Sequence, residues 1–185
     1  MQTVESIIIG GGPCGLSAAI EQKKKGIETL VIEKGNVVEA IYNYPTHQTF
    51  FSSSDKLNIG DIPFIVEECK PRRNQALVYY REVGKHQKLN INPFEEVLTV
   101  KKINNRFTIT TTKDVYQCRF LTVATGYYGQ HNQLEVEGAE LPKVNRYFKE
   151  AHPYFGQNVV IIGGKNSAVD AALELEKAGA HVTVL

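Results

Sequence analysis

The chain has 185 residues, 21 Lys+Arg against 20 Asp+Glu, and 42% hydrophobic residues. It is too apolar and too balanced in charge to be a disordered segment. A net charge of +1 makes no bulk electrostatic case for nucleic acid or an acidic membrane surface, and no apolar run approaches the roughly 18 to 20 residues of a membrane span.

Residues 4–9 form a β-branched run that stops at Gly10-Gly11-Gly12, which predicts a buried strand entering a tight turn. Over residues 14–25 the apolar positions Leu16, Ala19 and Ile20 recur at helical spacing, and Gly26 ends that helix. Residues 28–32 read as a second strand. Strand, glycine turn, helix and strand make a βαβ unit with parallel strands and a right-handed crossover. Residues 43–71 hold Pro45, Ser52-Ser53-Ser54, Gly60, Pro63 and Pro71 with little periodicity, an irregular excursion of the kind that often carries function. A helical pattern returns over residues 74–85. Residues 96–102, 106–112 and 115–119 read as an antiparallel meander, with turns at Asn104-Asn105 and Lys113-Asp114. Residues 120–124 read as a further buried strand that ends at Thr125-Gly126. After a polar connection (127–157) the opening pattern recurs: strand 158–162, turn Gly163-Gly164, helix 167–177, stop Gly179, strand 181–185. One echo about 150 residues away is too distant for a solenoid repeat and fits two nucleotide-binding units. The expected fold class is α/β: a Rossmann-like parallel sheet (1–126) with an antiparallel β-meander insert, a connection (127–157), and an incomplete second Rossmann-like unit (158–185). A lone βαβ cannot cover both faces of a parallel sheet, so the natural protein is expected to continue beyond Leu185.

Gly10, Gly12 and Gly15 satisfy G-x-G-x-x-G. The first glycine permits the tight turn, the second lets a pyrophosphate approach the backbone, and the third lets helix pack on strand. The helix N-terminus then offers free N–H groups and partial positive charge to the phosphates. Glu33 ends the next strand, close to the roughly 20-residue offset at which a carboxylate binds ribose hydroxyls. The second copy is Gly163-Gly164-Lys165-Asn166-Ser167-Ala168, in which Lys165 replaces the second glycine. A side chain there either crowds the pyrophosphate or reaches a phosphate, or the copy is kept for packing alone.

Two such motifs, with the Ala124-Thr125-Gly126 strand end between them, resemble the two-dinucleotide-binding-domain flavoproteins. The resemblance implies FAD at the first motif, through Gly10, Gly12, Pro13, Cys14, Gly15, Glu33, Lys34, Ala124, Thr125 and Gly126. It implies NADPH at the second, through Gly163, Gly164, Asn166, Ser167 and Ala168. Asn43-Tyr44-Pro45 resembles the family's Asn-aromatic-Pro segment beside the flavin ring, with Thr46 where a glycine usually follows. Val97 sits where the family contacts adenine through its backbone, although as a strand residue it reads first as packing. C-terminal segments that complete the FAD domain in the family lie outside residues 1–185. No Cys-x-x-Cys occurs in residues 145–154 and no Cys-x4-Cys in the first helix region, which excludes a conventional dithiol enzyme for this chain. Ferredoxin–NADP reductases and flavin monooxygenases also lack the dithiol and stay open as alternatives. So does a non-catalytic nucleotide sensor, should Lys165 spoil the second site.

Cys14 stands where these flavoproteins commonly have Ala. A helix N-terminus favours a thiolate and a bound pyrophosphate opposes one. On chemistry alone Cys14 reads first as a small packing residue. The runs 8–22 and 42–54 are, however, very similar to the YpdA-type bacillithiol disulfide reductases of low-GC Gram-positive bacteria. That resemblance implies an FAD- and NADPH-dependent enzyme, longer than this chain, with Cys14 as its catalytic residue acting on a small-molecule disulfide. A homo-oligomer is expected by the same analogy, with neither a nucleic-acid nor a membrane partner. Cys69 and Cys118 carry no motif, and three cysteines without close pairing point to a reducing cytoplasm. Met1–Glu5 shows no signal-peptide pattern. His47, His86, His131, His152 and His181 show no metal-ligand spacing, and His47 is a candidate proton donor in the excursion. Lys23-Lys24-Lys25 reads as a solvated helix end.

Overall fold

The computed structural model describes residues 1–129 and 135–185; His131 lies outside them. The chain divides into two compact units, residues 1–43 with 48–134, and residues 44–47 with 135–185.

The first unit is built on a six-stranded sheet of order β3-β2-β1-β6-β5-β4. Strand β1 (Gln2–Ile9) runs through Gly10 into α1 (Pro13–Lys24), then β2 (Thr29–Ile32). Strands β1 and β2 are parallel, with Ser6 opposite Thr29 and Ile9 opposite Ile32. The apolar spacing of α1 buries Leu16, Ala19 and Ile20, and Ala19 packs on Ile8 and Val31 of the sheet. A second cluster joins Val4, Ile7, Leu30 and Ile32 to Ile109, Tyr116 and Cys118.

Beyond β2 come a short helix α2 (Glu39–Tyr42), the turn α3 (Ser54–Leu57), α4 (Arg73–His86), and β3 (Ile91–Asn92). The irregular excursion is not self-supporting. Tyr79 of α4 accepts the Ile59 N–H at 2.9 Å and donates to the Ile62 carbonyl at 2.6 Å. Tyr80 donates to the Leu57 carbonyl at 2.8 Å, and Phe64 stacks on Tyr79 with ring centroids 4.2 Å apart. Lys23 also does more than sit in solvent: its ammonium donates to the Gln87 and Lys88 carbonyls, closing the end of α4.

The meander is β4 (Val97–Ile103), β5 (Arg106–Thr111) and the first part of β6 (Val115–Val123). Here the structure departs from the two strands expected over residues 115–119 and 120–124. They are one nine-residue strand that pairs antiparallel with β5 over Val115–Cys118. It pairs parallel with β1 from Gln2↔Tyr116 to Ile9↔Val123. A single strand thus joins the parallel half of the sheet to the meander.

Glu95, just before β4, is 2% exposed. Its carboxylate accepts the Thr111 hydroxyl at 2.6 Å and the Asn92 amide at 3.0 Å. Burial and this carboxylate both raise the Tyr116 phenol above its ordinary range. Glu95→Ala removes the charged acceptor of the Thr111 hydroxyl and the Asn92 amide from a buried site and should cost about 3 kcal/mol, read as a lower urea midpoint.

The second unit carries a 3-10 turn (His152–Tyr154), then β7 (Asn158–Ile161), α5 (Asn166–Lys177) and β8 (His181–Val184). Strands β7 and β8 are parallel, with Asn158 opposite His181 and Ile161 opposite Val184. Leu175 of α5 packs with Ala151 and Ala180 in the core of this unit. No described helix is long and apolar enough to cross a membrane.

Candidate functional site

The chain leaves β1 toward α1 on one side of it, while β6 pairs on the other. That is a topological switch point, and ligands of open α/β sheets bind outside the carboxyl ends of the strands there. The Gly10 loop occupies this place.

Gly10 has φ +108°, and a Cβ on it would fall on the Ala124 carbonyl oxygen. Both the turn and the approach of β6 therefore require glycine. Ala124 in turn donates its N–H to Ile9 at 2.8 Å, bringing Ala124, Thr125 and Gly126 alongside the loop. A Cβ on Gly15 would fall on the Gly10 carbonyl oxygen, so the third glycine is demanded by the contact between helix and turn. Gly12 differs. As the N-cap of α1 it has ordinary extended backbone, φ −78° and ψ 179°, and nothing lies within 4 Å of a Cβ built there. The chain itself does not need a glycine at 12; the open space is what a ligand approaching the backbone needs. Pro13 takes the first helical turn, where its missing N–H costs nothing. The first hydrogen bond of the helix runs from Leu16 N–H to the Gly12 carbonyl at 2.9 Å. The Cys14 and Gly15 N–H groups precede it and have no acceptor within the helix.

Glu33 is 7% exposed and stands against this loop. Its carboxylate accepts the Gly11 N–H at 2.6 Å and the Gly35 N–H at 2.9 Å. Two of its lone-pair sites shape the loop, and a carboxylate offers about four. The segment from Asn92 to Glu95 frames it through main-chain bonds: the Glu33 N–H donates to the Asn92 carbonyl at 3.0 Å, the Glu95 N–H to the Glu33 carbonyl at 2.9 Å, and the Phe94 N–H to the Gly35 carbonyl at 2.9 Å. Val97 follows two residues later and packs against the core. Sequence reasoning missed Asn92 and Glu95. They carry no motif, and a two-residue strand leaves no periodicity to read. Lys34 is exposed. Asn43 caps α2, its N–H donating to Glu39 at 3.0 Å. The other end of α2 is tied to the loop, since Val38 N–H donates to the Gly11 carbonyl at 3.0 Å.

Cys14 is exposed in the first turn of α1, and it belongs to no buried cluster among the described residues. Cys118 is buried, and burial pushes its thiol up from its ordinary range. Cys69 is exposed, and all three thiols are free. In the folded protein Cys14 and Cys69 should be alkylated at least about 100-fold faster than Cys118; peptide mapping after timed alkylation reads this directly.

The second loop repeats the geometry of the first. Gly163 has φ +134°, Lys165 is the N-cap with φ −91° and ψ 173°, and Val169 N–H donates to the Lys165 carbonyl at 3.1 Å. Lys165 thus stands where Gly12 stands, in backbone that any residue adopts, with an exposed side chain. A Cβ on Gly163 would clear Ala168 by 3.8 Å, so this turn is wide enough for alanine at the third position. Gly164, Asn166 and Ser167 are exposed. His47 is exposed and sets its ring against Phe148, centroids 6.0 Å apart. Tyr127 is almost fully exposed.

A family model described as pyridine nucleotide-disulphide oxidoreductase matches residues 7–185. The chain belongs to that family. Membership implies a flavin and a pyridine nucleotide. The chain is 63% identical over 182 residues to bacilliredoxin reductase Bdr of Bacillus subtilis, covering 98% of this chain and 56% of that protein. Among solved structures it is similar to bacillithiol disulfide reductase Bdr (YpdA) from Staphylococcus aureus, with TM-score 0.96 and 86% identity. That match covers 100% of this chain and 57% of the other. The protein of the same name from Bacillus cereus gives TM-score 0.96 and 60% identity, covering 99% and 58%. The chain therefore spans just over half the length of the relatives it matches. The first loop fits a dinucleotide: open space at Gly12, helix N–H groups free of intrahelical acceptors, and a buried carboxylate beside them.

Proposed function

We propose that this chain forms the dinucleotide-binding part of an FAD-dependent NADPH oxidoreductase that reduces bacillithiol disulfide through Cys14. The observation that carries the reading is the exposed Cys14 thiol in the first turn of the helix that opens the glycine loop. Residues 1–126 would hold FAD, with Gly10, Gly12, Pro13, Cys14 and Gly15 at the pyrophosphate. Glu33 and Lys34 would meet the ribose, Val97 the adenine, Asn43 the ring, and Ala124, Thr125 and Gly126 the adjoining strand end. Residues 158–185 would open the NADPH unit, with Gly163, Gly164, Asn166, Ser167 and Ala168 at its phosphates and residues 127–157 as the connection. The names of the similar proteins, which specify bacilliredoxin or bacillithiol disulfide, support a disulfide substrate. Three free thiols support a reducing cytoplasmic setting.

A flavin held by these residues would supply two electrons, received as hydride from a nicotinamide. The chain's own contribution begins with the Cys14 thiolate, which attacks one sulfur of the disulfide. One thiolate leaves, and the other half stays on Cys14 as a mixed disulfide. Two-electron reduction of that bond releases the second thiol and returns Cys14 as a thiolate. Gly12 keeps the loop open for the dinucleotide, and Glu33 holds the Gly11 and Gly35 N–H groups that shape it.

The test is NADPH oxidation by the full-length, FAD-loaded protein. Turnover with bacillithiol disulfide, and none with ferredoxin or oxygen alone, is the expected result. Turnover with ferredoxin or oxygen but not with the disulfide would overturn the reading. The name of the Bacillus subtilis relative favours a second substrate, an oxidised bacilliredoxin, to be assayed alongside.

A further inference from the structure

Arg73 opens α4 and is 8% exposed, yet no ion pair holds it among the described residues. One terminal guanidinium nitrogen donates to the Tyr42 carbonyl at 2.5 Å and the other to the Asn74 side chain at 2.7 Å. The group lies 5.1 Å from the centre of the Tyr42 ring. Its Nε is buried with no hydrogen-bond partner among the described residues. A buried cation without a counter-charge is costly, and a neutral side chain of similar volume commonly leaves a protein as stable or more so. Joining α4 to its neighbour does not need the charge: the Arg73 N–H donates to the Gln48 carbonyl at 2.8 Å, a bond any residue but proline would make.

What the guanidinium grips is informative. Helix α2 has only four residues, too short to sustain itself, so anchors at its ends set its orientation. Its leading end is tied to the Gly11 carbonyl through Val38, and its trailing carbonyl, Tyr42, is held by Arg73. Asn43 follows immediately. We infer that Arg73 is a positioning residue for flavin binding: it fixes the Tyr42–Asn43 peptide so that Asn43 is presented at a set orientation relative to the glycine loop. This rests on the reading of Asn43 as a flavin contact given above.

The experiment compares wild type, Arg73→Met and Arg73→Lys in the full-length protein. It reads the flavin dissociation constant, the visible flavin spectrum, and the melting temperature of the flavin-free form. Arg73→Met should weaken flavin binding about tenfold, the worth of one charge-assisted hydrogen bond, and alter the visible band. Its flavin-free form should melt at or above wild type, because the unpaired buried charge is gone. Arg73→Lys keeps the charge without the planar fork and should fall between. A purely structural role would give the opposite pattern, lower melting with unchanged flavin affinity, and would overturn the inference. Should the methionine variant not fold, the lysine variant decides: wild-type affinity and spectrum there overturn it. Wild-type protein that binds no flavin would overturn the flavin reading itself, a result distinct from either.

Discussion

Replacing Cys14 by Ala is expected to abolish disulfide reduction while leaving flavin bound. The thiol is exposed, so its removal opens no cavity, and stability should stay within about 0.5 kcal/mol of wild type. The Cys14 N–H at the start of α1 survives the substitution, so the cradle for the dinucleotide is unchanged. What disappears is the proposed nucleophile, and losing it should lower kcat for bacillithiol disulfide by at least about 1000-fold. NADPH should still bleach the flavin of the variant at the wild-type rate. Cys14→Ser should be equally inactive, because an alcohol does not ionise near neutral pH and cannot form the mixed disulfide. Turnover in Cys14→Ala at the wild-type rate would remove the thiol from the mechanism. It would also move the reading toward ferredoxin- or oxygen-linked chemistry.

Gly15→Ala should do the reverse, damaging binding rather than chemistry. The added methyl falls on the Gly10 carbonyl oxygen, a backbone atom of a turn already pressed against Ala124. Neither side can yield alone, so helix and turn must separate. The expected cost is about 3 kcal/mol in the urea midpoint. A displacement of about 1 Å at the phosphate cradle should also weaken flavin retention on the order of 100-fold. Ala168, at the matching place of the second loop, has the room that Gly15 lacks. Ala168→Gly should therefore cost only about 1 kcal/mol through helix propensity. Equal effects at the two positions would refute the claim that the first turn is the tighter.

The parts of the fold legible in the sequence are those whose residue types are demanded locally. Gly10 and Gly163 declare positive φ, and the glycine run after a β-branched strand declares the turn. The break expected near residue 119 failed for a definable reason. Strand β6 lies between β5 and β1 over Tyr116–Cys118 and keeps only β1 from Phe120 to Val123, and the loss of one neighbour alters the burial pattern without ending the strand. Arg73 and Glu95 were illegible because their meaning lies in what they touch. Tyr42 is 31 positions from Arg73 and Thr111 is 16 from Glu95, and no spacing rule links such pairs. For Cys14, sequence chemistry alone reads packing first, and only the family resemblance points to a redox role. Its exposure is a tertiary fact that no spacing in the sequence shows.

The continuity of β6 also governs when the molecule can form during synthesis. Strand β1 is translated first, but its long parallel partner begins more than a hundred residues later. Until residue 123 has cleared the ribosome, the nascent chain can close β1 only on β2 and α1, leaving one edge of β1 unpaired. Closing so wide a loop is slow, and an unpaired apolar edge invites association with other chains. Nascent chains arrested before residue 115 should therefore be protease-sensitive and bound by chaperones, and those arrested well beyond residue 123 should resist cleavage within β1.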